Sequence, residues 1–196
     1  PLYYIKDVIR QISQLKREYV SPEKFESILD SEELQLKNSI EEYWHEQSVK
    51  AEAGKKAKTK LSAVLLKQEK NLKKQKELLT VYVEYQKELS KRKRYDFDDM
   101  ISFVVQAFEL DEELLLDYQE RFQYILVDEY QDTNAAQNKI VELLANYWEE
   151  SPNLFVVGDP HQSIFRFQGA STENMLSFID RYPTCIVITL ATGYRC

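Results

Sequence analysis

Three short apolar runs in the second half of the chain decide most of what it can fold into: YILV (124–127), LFVV (154–157) and CIVITL (185–190). Each is rich in β-branched residues and too short for a buried helix, which predicts strands. AAQNKIVELLANYW separates the first two, with Ile140, Leu143, Leu144 and Tyr147 on one helical face, and STENMLSFIDRY separates the second two. Strands alternating with helices of this length need crossover connections. The pattern therefore predicts a parallel sheet buried on both faces, an α/β arrangement with flanking helices. Ligands of such sheets bind at the carboxyl ends of the strands. Here those ends carry Asp128 and Glu129, then Gly158 and Asp159, then Tyr194 and Arg195.

The first half has a different texture and predicts an all-α region. SPEKFESIL offers Ser21 as an N-cap and Pro22 at the first helical position, with Glu23 and Glu26 where the helix dipole favours acids. DSEELQLKNSIEEYW reads as a second helix start. KAEAGKKAKTK (50–60) is small, basic and glycine-containing, and predicts a loop. From Leu61 to about Arg94, Leu78, Tyr82, Tyr85 and Leu89 recur at helical spacing, which predicts the second arm of a helical hairpin. Helices are also predicted over MISFVVQAF and DEELLLDYQERF. The change of texture after RYDFDDM places a domain boundary near residue 95, giving an all-helical region 1–94 and an α/β region 95–196.

Charge follows the same division. The net charge of −7 conceals 15 Lys/Arg against 5 acids in residues 50–94 and 11 against 28 elsewhere. A basic segment on an acidic background predicts a polyanionic partner for that segment. Residues 50–94 would neutralise the charge of such a partner and release its counterions, with Lys55, Lys56, Lys58 and Lys60 at their head. The plainer alternative is a solvated helix face. Two cysteines, Cys185 and Cys196, make no disulfide framework and point to a reducing, cytoplasmic compartment, with Cys185 read as a buried small hydrophobe. His45 and His161 lack partners at metal-ligand spacing, and no apolar run is long enough for a membrane span. Pro1 in place of Met is read as a piece of a longer protein.

The stretch YILVDEYQDTN carries the chemistry. A strand that ends in four or more polar side chains offers more than a turn requires. One carboxylate can hold a hydrated Mg²⁺ and a second can activate water, while a nearby cation neutralises charge on a transferring phosphoryl group. Each piece has a structural alternative. Asp132 or Thr133 could simply cap the next helix, Asp159-Pro160 could be a turn, Arg195 a surface ion pair, and Phe165 and Phe167 core residues.

Taken together, ILVDEYQDTN, VVGDPHQSIFRFQGA and LATGYRC resemble motifs II, III and IV of the UvrD/Rep-type superfamily 1 DNA helicases, in order and at suitable spacing. VYVEYQKELSKRKRYDFDDM is similar to the segment leading from that family's helical subdomain 1B into its first RecA-like subdomain, 1A. The resemblance is specific over about residues 78–196 and loose over 1–77. It implies ATP and Mg²⁺ as cofactors, single-stranded and duplex DNA as partners, and 3′–5′ translocation coupled to unwinding.

By position, the resemblance makes Asp128 the Mg²⁺ ligand, Glu129 the general base and Gln131 a supporting residue. Gln162 and Arg195 would contact the γ-phosphate, and Phe165 and Phe167 would stack on single-stranded bases. Two departures bear on phosphate sensing: Gln168 stands where the family usually has arginine, and Gly193 and Cys196 alter its usual NYRS. No Gly-x-x-x-x-Gly-Lys-Thr/Ser phosphate loop occurs. In the family that loop precedes 1B and a second RecA-like domain follows motif IV, so the resemblance implies that this stretch alone is inactive and works with the rest of a parent helicase. Two alternatives remain open at this level: the motor of a RecB/AddA-like helicase–nuclease, and a DNA- or protein-binding module with a decayed nucleotide site.

Overall fold

The computed structural model describes residues 4–53, 56, 58, 60–148, 152–159, 178–190 and 192. The chain divides into two compact units, Pro1–Lys16 with Val20–Phe97, and Arg17–Tyr19 with Asp98–Cys196.

The first unit is helical. Helix α1 (Ile5–Arg17) precedes α2 (Pro22–Glu52) and α3 (Ala63–Lys91). Ser21 caps α2 as the sequence predicts, its Oγ accepting from the Lys24 N–H at 3.2 Å, with Pro22 opening the helix. The helix then runs 31 residues without a break, so the second start expected at Asp30-Ser31 does not form. No glycine or proline interrupts 23–52. The small cost of Asp and Ser inside a helix is met by packing along its whole length. Ser62 caps α3 by accepting from the Leu65 N–H at 3.3 Å.

The two long helices form a hairpin around Phe25, Leu29 and Leu72, with Leu15, Val20, Leu36, Leu78 and Leu79 packed on this core. Tyr82 is buried and its hydroxyl donates to the Val20 carbonyl at 3.1 Å. Lys16, only 3% exposed, pairs with Asp96 at 2.5 Å. It also lies 5.0 Å from the Tyr85 ring centre, and the Tyr85 hydroxyl donates to the same carboxylate at 2.9 Å. A buried ammonium is tolerable only with such partners.

Helix α3 ends in a left-handed residue, Lys93 (φ 52°). The Arg94 N–H reaches the Leu89 carbonyl and the Lys93 N–H the Ser90 carbonyl, both at 2.9 Å, an arrangement that favours glycine at the left-handed position. Lys93→Gly is therefore expected to stabilise the helical unit by about 1 kcal/mol, measured as a rise in the thermal midpoint. An unchanged or lowered midpoint would show that the Lys93 side chain compensates for its backbone strain.

In the second unit, α4 (Phe97–Leu110) buries Val105 and Phe108. Helix α5 (Glu112–Arg121) is capped by Asp111, whose Oδ1 accepts from the Leu114 N–H at 2.9 Å. Arg17 reaches Asp98 at 3.1 Å, and the Tyr19 hydroxyl donates to Glu109 at 2.8 Å. Strand β1 (Ile125–Val127) leads through a 3-10 turn (Tyr130–Asp132) into α6 (Ala135–Ala145) and on to β2 (Leu154–Val156). The strands pair in parallel, Ile125 opposite Leu154 and Val127 opposite Val156. Gln119 ties α5 to α6 by donating to the Leu143 carbonyl at 2.7 Å.

The expected sheet is only partly present among the described residues. Residues 185–190 form no strand, and Ile186 (89% exposed) and Leu190 (82%) are open to solvent. Nor is the sheet covered on both faces, since Leu126 and Phe155, facing one another in register, are 73% and 56% exposed. An apolar run becomes a central parallel strand only where neighbouring strands supply backbone partners and helices cover both sides, and the described residues supply no strand partner beside 185–190 and no cover over Leu126 and Phe155. Cys185, expected to be buried, is half-buried and free. No described helix is long and apolar enough to cross a membrane.

Candidate functional site

The site lies where the two strands end. Strand β1 delivers Asp128 and Glu129 to the surface, and the chain turns sharply because Glu129 is left-handed (φ 50°, ψ 42°). That conformation strains any residue other than glycine and persists only where the surroundings enforce it. Three hydrogen bonds do so here. The Glu129 N–H donates to Asp128 Oδ1 (2.9 Å), the Asp132 N–H to the Glu129 carbonyl (2.8 Å), and the Tyr130 N–H to the Val157 carbonyl (2.9 Å).

The next residues invert direction, burying Tyr130 and Gln131 beneath the exposed acids. Gln131 is 1% exposed, and its amide is used at both ends. Nε2 donates to Glu129 Oε2 at 2.7 Å, while Oε1 accepts from the Asp159 N–H at 3.0 Å. A carboxylate can only accept and a backbone N–H can only donate, so the orientation of this amide is dictated by its partners. Gly158 makes the approach possible, because a Cβ there would stand 2.5 Å from Gln131 Oε1.

Helix α6 begins at Asn134, two residues beyond Asp132 and one beyond Thr133, neither of which is the cap. Asn134 Oδ1 accepts from the Gln137 N–H (2.9 Å) and Gln137 Oε1 from the Asn134 N–H (3.0 Å), a reciprocal capping box. Thr133 instead donates its hydroxyl to the Tyr130 carbonyl at 2.7 Å. Tyr130 packs edge-on against Phe178 with ring centres 5.5 Å apart. Its phenol is pushed upward in pKa, first by burial and then by the Glu142 carboxylate. Arg181 reaches Glu142 at 2.9 Å and so holds residues 178–181 against α6.

Asp128, Glu129 and Gln131 are thus brought together with the Asp159 backbone. Gln162, Phe165, Phe167, Gln168, Gly193 and Arg195 lie outside the described residues, as does Lys55. Lys56, Lys58 and Lys60 are exposed at the end of the helical hairpin. Two α2 side chains hold that loop. Buried Gln47 accepts from the Lys58 N–H at 2.9 Å, and the Tyr43 hydroxyl donates to the Lys60 carbonyl at 2.8 Å. Reading the sequence placed Gly158 at a strand end but missed its packing against Gln131, and missed the parts that Gln47 and Tyr43 play. For Gly158 a signal was present, a glycine directly after a buried run, which marks close backbone approach.

No three ligating side chains converge on one point among the described residues. The donor set at the β1 exit is one exposed carboxylate, Asp128, beside a second that the amide holds. That suits Mg²⁺, which keeps several waters and takes one or two protein carboxylates together with phosphate oxygens.

Comparison with known proteins places the chain in a family. The family model described as UvrD/REP helicase N-terminal domain matches residues 3–183. The ATP-dependent DNA helicase PcrA of Staphylococcus epidermidis is 50% identical over 116 residues, 59% of this chain and 16% of the relative. The PcrA of Bacillus subtilis is 50% identical over 115 residues, 59% of this chain and 15% of the relative. This chain therefore matches about a sixth of the length of these relatives. With that family model spanning nearly the whole chain, the chain belongs to the UvrD/REP helicase N-terminal domain family.

Proposed function

We propose that this chain is the portion of an ATP-dependent DNA helicase that holds the water-activating carboxylate. On this reading residues 1–94 are a DNA-contacting helical subdomain of the 1B kind. Residues 95–196 belong to a RecA-like subdomain of the 1A kind, whose parallel sheet includes β1 and β2. The observation that carries the reading is the Glu129 carboxylate, exposed at a strand end, strained in backbone and oriented by a buried amide. Strain combined with an aimed acid is costly in a merely structural turn.

Glu129 Oε2 accepts from Gln131, which leaves Oε1 to accept a proton from a water placed against the terminal phosphate. Asp128 would hold Mg²⁺, which when bound neutralises charge on the phosphate oxygens. The family resemblance assigns Gln162 and Arg195 to the γ-phosphate and Phe165 and Phe167 to base stacking. Translocation in the 3′–5′ direction follows from the same likeness.

The test is hydrolysis and unwinding by the full-length protein. Single-stranded DNA should stimulate ATP hydrolysis, and a duplex with a 3′ single-stranded tail should be unwound in preference to one with a 5′ tail. No DNA-stimulated hydrolysis, in a protein that binds both ligands, would refute the motor reading and leave a binding module.

The lysine loop gives a separate prediction. Replacing Lys56, Lys58 and Lys60 together by Ala should weaken duplex binding and flatten its salt dependence, lowering the slope of log K against log salt by about 2–3 if each lysine meets one phosphate. An unchanged slope would assign these lysines to solvent.

A further inference from the structure

We infer that the second unit binds a small, neutral, single-ring aromatic molecule carrying one hydrogen-bond donor. The site is a cavity that Tyr130 lines and the two acids, Asp128 and Glu129, do not. The inference is independent of the reading of Glu129 as the general base.

The cavity, of about 160 Å³, lies between Tyr130, helix α6, Leu154 of β2 and residues 178–182. Its lining from α6 is Asn138, Val141 and Glu142. The remaining wall is aromatic. Tyr130 and Phe178 meet edge-on with ring centres 5.5 Å apart, and Phe178 and Tyr182 lie 4.9 Å apart. A further ring placed among them gains the same edge-to-face contacts. Polar contacts also fix the position of residues 178–182 against α6. Arg181 Nη1 pairs with Glu142 at 2.9 Å, and Nη2 donates to Asn146 Oδ1 at 3.3 Å. These contacts set the separation across the cavity.

Asn138 decides the chemistry. Its Oδ1 is buried and accepts from no donor among the described residues. A buried acceptor without a donor carries its whole desolvation penalty, and folded proteins rarely leave one so. Neither charged neighbour relieves it. The Glu142 carboxylate can only accept, and both Arg181 Nη groups are directed elsewhere. The cavity that Asn138 lines is the space from which a donor can come.

Water donates, but it suits these walls poorly. At roughly 30 Å³ each, about five waters would fill the space, and each needs two to four polar partners. Five of the eight lining residues are aromatic or aliphatic. One ring fits better: an apolar cavity of about 150 Å³ holds a benzene-sized molecule. A single O–H or N–H on that ring then satisfies Asn138. Glu142 and Arg181 neutralise one another, so a charged ring would be buried without a counter-charge. The ligand is therefore neutral.

The test titrates the full-length protein with phenol and, separately, with toluene, read by saturation-transfer difference NMR. Phenol should bind with a dissociation constant of about 1 mM, in keeping with seven non-hydrogen atoms of ordinary efficiency. Asn138→Leu keeps the bulk and removes the acceptor. It should weaken phenol about tenfold and leave toluene bound at least as tightly as in wild type. Val141→Phe should fill the cavity and abolish binding of both, in a protein whose circular dichroism is unchanged. This second variant keeps the test decisive if Asn138→Leu folds poorly.

The proposal is overturned if wild type binds neither compound, if phenol binds Asn138→Leu as it binds wild type, or if folded Val141→Phe still binds both. All of these readouts are binding alone. A protein that takes up phenol but hydrolyses no ATP keeps this site and loses the motor reading. A protein that hydrolyses ATP but takes up no phenol does the reverse.

Discussion

Glu129→Gln is expected to lower ATP turnover by the full-length protein about 100- to 10,000-fold, the usual contribution of a positioned general base. Nucleotide-dependent DNA binding should survive. The substitution is close to isosteric, and an amide oxygen at the former Oε2 position can still accept from Gln131 Nε2, so the local hydrogen-bond pattern is preserved. What disappears is the oxygen able to take a proton from water. Because ground-state contacts to nucleotide are unaltered, the loss should fall on kcat, with KM nearly constant. Single-turnover hydrolysis and DNA binding measured on one preparation make the check. Turnover within a few-fold of wild type would remove Glu129 from the role of base.

The second large effect concerns stability. Leu29→Ala should destabilise the helical unit by about 2–5 kcal/mol, the range for removing a buried leucine from a core that cannot collapse around the gap. Leu29 is among the least exposed of the described residues, wedged between Phe25 on its own helix and Leu72 on α3. Among its described residues the helical unit has few other fully buried apolar side chains, so little can move in to refill the space. A loss of this size should lower the thermal midpoint of that unit by at least 10 °C, given roughly 4–8 °C per kcal/mol for a domain near 100 residues. Helical circular dichroism during heating would report it. A shift of only a degree or two would mean that the hairpin holds together by its polar contacts, chiefly Lys76 with Glu33 at 2.6 Å.

The sequence was most legible where a local rule and a tertiary need agree. Ser21 with Pro22 foretold the start of α2, and the alternation of β-branched runs with amphipathic helices foretold the parallel pairing of β1 with β2. It misled where a local signal had no competitor in the sequence itself. Asp30-Ser31 looks like a helix start, but nothing stops the preceding helix, and propagation is easier than a new nucleation. Thr133 looks like a cap, yet Asn134 can exchange two bonds with Gln137 where Thr133 could not. CIVITL has every local mark of a strand, but strand formation depends on partners that composition cannot reveal.

At the site, residue types disclosed the two acids. The bridging role of Gln131 was hidden because it depends on Asp159, 28 positions away. Only the absence of a side chain at Gly158 lets that distance close.

The unbroken length of α2 has a mechanical meaning. At about 1.5 Å per residue its 31 residues make a rod roughly 45 Å long. The lysine loop is fastened near its far end through Tyr43 and Gln47. That span exceeds the physiological Debye length of about 8 Å more than fivefold, so charge at the tip is electrostatically silent at the foot. If the loop grips a duplex as proposed, the influence of that contact along α2 must arrive as torque on a stiff lever.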